Sequence, residues 1–260
     1  MRSLVVLMFL VGCADPGEGF SAQQPPDGSD PTPAPPVLSE ETTLVTVDEA
    51  LSQLLVVDSL DASTRVAVDL PAGLTGSCST VFTRGGEMYL SQGRSLVRWD
   101  PCSEDWEVIG QFSDGAQICG IASRGLIGLY GIERTTSQLV RISTADASLS
   151  PVGPTGVFWA GHGLTWDEAN ERFLAITGDD DTLHSLDPET GEATWLADLD
   201  HEFHSVGVEV DPVSGTLFAC TRRDLLAVDI VTGHVTVLGE VGEDENCADL
   251  GATWLDVPCL

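Results

Sequence analysis

Three histidines and a run of carboxylates are the residues of this chain with most capacity for chemistry. Asp198-Leu199-Asp200-His201-Glu202-Phe203-His204 sets imidazoles and acids at close spacing, and His162 stands upstream just before Gly163. Neutral imidazole combined with carboxylate suits a borderline divalent ion such as Zn²⁺. His162 and His204 are therefore the candidate metal ligands, against the plainer reading of solvated loop histidines beside acids. No other cofactor is expected. Gly178-Asp179-Asp180-Asp181 and Glu243-Asp244-Glu245-Asn246 are carboxylate clusters, but neither follows the ligand rhythm of a calcium loop, and both read as solvated turns. The sequence contains no Gly-x-Ser-x-Gly nucleophile elbow and no phosphate-cradling glycine loop, so no catalytic residue is named.

The thiols divide into one and six. Cys13 ends the apolar run Leu4-Val5-Val6-Leu7-Met8-Phe9-Leu10-Val11, which follows Arg2 and is too short to span a bilayer. Leu10-Val11-Gly12-Cys13 resembles, position by position, the lipobox of bacterial lipoproteins. The resemblance implies a signal peptide over 1–12, a diacylglyceryl thioether on Cys13, cleavage before it, and acylation of the new amino terminus. An ordinary secretory signal with an incidental cysteine is the alternative. Residues 13–39 contain Gln23-Gln24-Pro25-Pro26 and Pro31-Thr32-Pro33-Ala34-Pro35-Pro36, a tract that cannot bury apolar surface and reads as a tether. Ala14 rather than Asp follows the cysteine, which leans towards an outer-membrane or surface lipoprotein of the cell envelope over inner-membrane retention.

Charge narrows the partners. The formal net charge is −30, from 41 acidic against 11 basic residues. Phosphate backbones and anionic headgroups would be repelled, so nucleic acid is excluded as a partner. Every basic residue is Arg, which removes Schiff-base chemistry, a phosphate-loop lysine and a Ser–Lys dyad.

From residue 40 to 260 the chain consists of short Val-, Leu- and Thr-rich runs punctuated by Gly, Asp-Pro and Thr-Gly, the mark of many antiparallel strands. The segment from Gly163 to Ile176 aligns without gaps on the segment from Gly207 to Cys220, an offset of about 44 residues, close to the length of a four-stranded propeller blade. A second shared stretch follows in each, starting at Leu183 and at Leu225, and worn copies start at Leu139, Leu96 and Leu55. Five third strands predict a five-bladed, all-β propeller. The first copy offers only three strands, near 43–48, 53–58 and 63–70, while Leu250 to Leu255 resembles a first strand with nothing after it. The C-terminus is therefore expected to supply the missing strand and close the ring. Asp48, Ala50, Leu51, Leu54 and Leu55 would also suit a short helix over 47–56, which would change the closure. The repeats resemble the YVTN/NHL-type family of bacterial propeller repeats over about 200 residues.

The six remaining cysteines, in an exported chain, are expected to form disulfides. Their number alone leaves the pairing open. In the blade register, Cys220 and Cys247 fall at one end of the ring and Cys102 and Cys259 at the other, leaving Cys78 with Cys119. A thiolate metal site is disfavoured by the absence of Cys-x-x-Cys. The tryptophans are expected between blades, with Trp159 the exposed exception.

Two functions follow as expectations. The first is a monomeric, lipid-anchored, non-catalytic module whose loops take a protein, peptide or glycan. The second is a metal-dependent hydrolase or lactonase at the channel mouth. The equivalent mouth positions Cys119, His162, Val206 and Leu250 are mixed in type, which favours the first.

Overall fold

The computed structural model describes residues 42–74, 78–103, 105–126, 128–243 and 247–260. The expected signal peptide, Cys13 and the expected tether lie outside the described residues. The described chain forms five four-stranded antiparallel sheets. The second holds β4 (Ser79–Phe82), β5 (Met88–Gln92), β6 (Ser95–Trp99) and β7 (Trp106–Gln111). The third holds β8 (Ile118–Arg124), β9 (Gly128–Glu133), β10 (Gln138–Ile142) and β11 (Leu149–Pro154). The fourth holds β12 (Gly163–Asp167), β13 (Arg172–Thr177), β14 (Thr182–Leu186) and β15 (Ala193–Asp198). The fifth holds β16 (Gly207–Val210), β17 (Leu217–Thr221), β18 (Asp224–Val228) and β19 (Val235–Glu240).

The first blade joins the two ends of the domain. It contains β1 (Leu44–Asp48), β2 (Gln53–Val57) and β3 (Thr64–Asp69), with β20 (Gly251–Ala252) added on the inside, in the order β20-β1-β2-β3. Leu44 pairs with Ala252 and Val45 with Gly251. The inner strands β20, β4, β8, β12 and β16 pack against one another around a closed ring, a five-bladed β-propeller. No helix forms over 47–56. Asp48 caps a tight turn instead, accepting the Leu51 N–H at 2.9 Å, and the β-branched Val45 and Val47 are buried against Leu54.

Each sheet is apolar on both faces because each is covered by two neighbours. The buried side chains accordingly form five clusters, one at each interface between blades. A bulge recurs at one place in every blade, between third and outer strand: at Leu54/Leu55, Leu96/Val97, Leu139/Val140, Leu183/His184 and Leu225/Leu226. The extra outer-strand residue in each, Ala67, Ile109, Val152, Leu196 or Leu238, turns back onto the core.

The following outer-strand position meets the turn of the next blade. A Cβ on Gly153 would come within 2.0 Å of the Thr190 carbonyl, and one on Gly110 within 2.4 Å of the Asp146 carbonyl. Those turns are built as their composition predicts. Asp58, Asp187 and Asp229 each accept, at 2.8 Å, the N–H two residues on, from Leu60, Glu189 and Val231. Gly191 and Gly233 close their turns at φ 78° and 75°, and Ala62 and Ala147 adopt the same left-handed conformation.

Candidate functional site

All five inner strands run the same way, which gives the ring an upper rim, where they begin, and a lower rim, where they end. The connections between blades lie on the upper rim. In blades 4 and 5 these loops are knitted together. The Asp181 carboxylate accepts the Phe203 N–H at 2.7 Å, and the Leu199 N–H donates to the Asp181 carbonyl at 2.8 Å. The His204 N–H donates to Thr221 Oγ1 at 3.0 Å, and the Cys247 N–H to the Arg222 carbonyl at 2.7 Å. Cys220 and Cys247 are disulfide-bonded here. The other disulfides join Cys78 to Cys119 on the same rim and Cys102 to Cys259 on the lower one, the pairs read from the blade register.

On this scaffold the His204 ring contacts the Arg222 guanidinium and lies 3.4 Å from a Glu202 oxygen. His201 sits 3.8 Å from an Asp224 oxygen and edge-on to Phe203, 5.5 Å between centroids. Beside them runs the loop from Thr155 to Gly161, bracketed by Gly156 and Gly161, both at positive φ. Phe158 on this loop is 68% exposed.

Trp159 was expected to be the exposed ring and is the reverse. It is fully buried, its indole N–H donates to Thr155 Oγ1 at 2.8 Å, and its ring lies edge-on to both His162 and His184. The reason is size. The larger ring fills the space between blades 3 and 4, and the loop turns its neighbour Phe158 outward.

His162 lies beneath this loop, 2% exposed, with neither ring nitrogen in a hydrogen bond. It packs against the bulge at Gly120, where β8 skips a residue in its pairing with β9. Burial pushes its pKa down to about 4, outweighing the Cys119 and Ile132 carbonyls that face the ring and favour its charged form. His162 is thus a core residue and His204 a rim residue. Among the described residues no group of three His, Cys, Asp or Glu side chains is placed to hold a metal ion together. Of the acidic clusters, Asp181 is spent on the Phe203 N–H, and Asp244, Glu245 and Asn246 lie outside the described residues.

Two carboxyls whose burial raises their pKa escaped sequence reading. Asp249 accepts from Thr46 Oγ1 at 2.8 Å, from the Val47 N–H at 3.1 Å and from Thr80 Oγ1 at 2.7 Å. Burial still pushes its pKa up to about 6. Glu209, on β16, is 5% exposed, and burial raises its pKa well above the usual carboxylate range against the lowering effect of Thr165. An acid inside the alternating run Gly207-Val208-Glu209-Val210 was the available signal, since it occupies the place of Thr165 in the preceding blade.

The lower rim carries two grooves. One, of about 560 Å³, is lined by Trp99, Trp106 and Arg98, whose guanidinium bridges Glu87 and Glu107 at 3.4 and 2.5 Å. The other, of about 580 Å³, opens between blades 1 and 5 and is lined by Thr42, Leu60, Arg65, Asp211 and Val213, among others.

Comparison with known proteins supports the architecture and stops there. No protein-family model matches the sequence, and no curated protein is a significant match. Among solved structures, a structural-genomics protein of unknown function from Bacteroides thetaiotaomicron VPI-5482 shares the fold with a TM-score of 0.56 at 14% identity. The similarity covers 78% of this chain and 56% of that one, so this chain spans little more than half of its length.

Proposed function

We propose that the chain is an extracytoplasmic β-propeller, anchored through lipid on Cys13, that acts as a non-catalytic binding module for a protein, peptide or glycan of the cell envelope. Its contact surface is the upper rim of blades 4 and 5. The observation that carries this is Phe158, 68% exposed on a loop whose Ala160 carbonyl accepts the Gly178 N–H at 3.2 Å and whose Gly161 packs against the His204 backbone, on the rim where His204 meets Arg222 and Cys220 is joined to Cys247. A rigid loop that holds an aromatic ring in water binds with little loss of entropy, and aromatic and Arg side chains carry most binding energy at interfaces. Three disulfides support an oxidising compartment.

The test is photo-crosslinking of the lipidated protein to envelope extracts, alongside Phe158→Asp. The reading requires a partner captured by the native protein and lost by the variant. Recovery of nothing, or equal recovery by both, overturns it.

A further inference from the structure

Apolar exposure on the lower rim is concentrated in one sector, apart from Leu126, 58% exposed in the turn between β8 and β9 of blade 3. In blade 1 the turn after β2 places Leu60 at its tip, 84% exposed, and the same position in blade 5 is Val231, 86% exposed. The equivalent residues elsewhere are Cys102, held in a disulfide, Ala145 and Glu189, which pairs with Arg124. A third aliphatic, Val213, is 54% exposed and lines the same groove as Leu60. Thr42 lies in that groove with its hydroxyl bonded to Asp211. Thr42, the first described residue after Cys13, therefore shares the groove with Leu60 and Val213.

We propose that this sector, made of Leu60, Val213 and Val231, docks onto the lipid bilayer that holds the Cys13 anchor, so that the upper rim faces away from the membrane. The proposal rests on the lipid anchor of the preceding section. A tether of 28 residues, from 14 to 41, spans at most about 90 Å when extended and does not force contact. It does hold the domain at a high effective concentration over the surface, so a contact of three aliphatic side chains suffices to populate the docked state. Charge selects the lipid. Asp58, Asp211 and Asp229 turn their oxygens onto the backbone N–H groups of Leu60, Val213 and Val231, but their charges remain at the patch. Arg65 is the basic residue that lines the groove. The bilayer it fits is zwitterionic, and anionic headgroups oppose docking.

The experiment places a photo-reactive leucine analogue singly at positions 60, 231 and 158 of the lipidated full chain in phosphatidylcholine vesicles. Lipid adducts are then read by mass spectrometry. The expected result is adducts at 60 and 231 and none at 158, with about a tenfold loss at 231 when Leu60→Asp is added. Replacing a third of the lipid with phosphatidylglycerol should lower the yield in low salt. Equal yields at all three positions, no adduct at 60 and 231, or crosslinks there to protein instead of lipid overturn the proposal while leaving the anchor intact. A Cys13 peptide without the added acyl mass overturns the anchor and the docking together.

Discussion

The Asp249 carboxylate accepts a hydrogen bond from the Thr80 hydroxyl at 2.7 Å, tying the segment that closes blade 1 to the inner strand of blade 2. Its other oxygen takes Thr46 and Val47 of β1. A two-residue strand would be a weak clasp by itself. Asp249 and two disulfides, one on each side of it, make the segment from Cys247 to Cys259 a strap across three blades.

Burial makes that carboxyl a source of pH dependence. Its folded pKa of about 6 lies above the ordinary 3.8, so between these values the folded protein keeps a proton that the unfolded chain has released. Stability from this group therefore falls as pH rises from about 4 to about 6, by about 3 kcal/mol. Asp249→Asn keeps the acceptor for Thr46 and Val47. Subtracting its urea-denaturation profile from that of the native protein should isolate this fall, and a flat difference would refute it.

His162 titrates with the opposite sign. Its folded pKa of about 4 lies below the ordinary 6.5, so the unfolded chain binds the proton first and stability falls as pH drops from about 6.5 to about 4. His162→Phe, which keeps an edge-on ring against Trp159, should lose that acid sensitivity, worth up to about 3 kcal/mol at pH 4. Unfolding midpoints at pH 4.5 and 7 would show it.

The strap should loosen when its outer staple is cut. Cys102 and Cys259 are 157 residues apart in sequence, so Cys102→Ser/Cys259→Ser should cost about 2–5 kcal/mol. Hydrogen exchange should rise first at Gly251 and Ala252, with β12 to β15 unaffected. Uniform exchange across all blades would show that the strap is no separate unit.

Blade docking depends on bare backbone at the outer strand. Gly153→Ala places a methyl against the Thr190 carbonyl, and the backbone shift this forces should cost about 1–3 kcal/mol. A urea midpoint unchanged from the native protein would mean that blades 3 and 4 separate there without penalty.

The blade count, the closure and the turn chemistry were legible in the sequence because they are local and repeated. Each Asp-x-x-x-Gly turn and each alternating run carries its own instruction, and the spacing of Gly163 and Gly207 repeats it. Cysteine pairing followed, since the position of a residue within a blade sets the end of the ring at which it lies. The resemblance of Leu10-Val11-Gly12-Cys13 to a lipobox rests on the sequence alone, for Cys13 lies outside the described residues. What only the tertiary structure decided was burial at the inner strands and connecting loops. His162 and His204 read alike in sequence, yet one is sealed under Trp159 and the other stands at the rim. Asp249 and Glu209 look like surface acids until blades on either side close over them. Phe158 and Trp159 exchanged the roles their composition suggests. The deciding contacts run between blades or through the loops that join them, from Trp159 over His162 to Thr80 on Asp249, and no local pattern encodes which neighbour will cover a side chain.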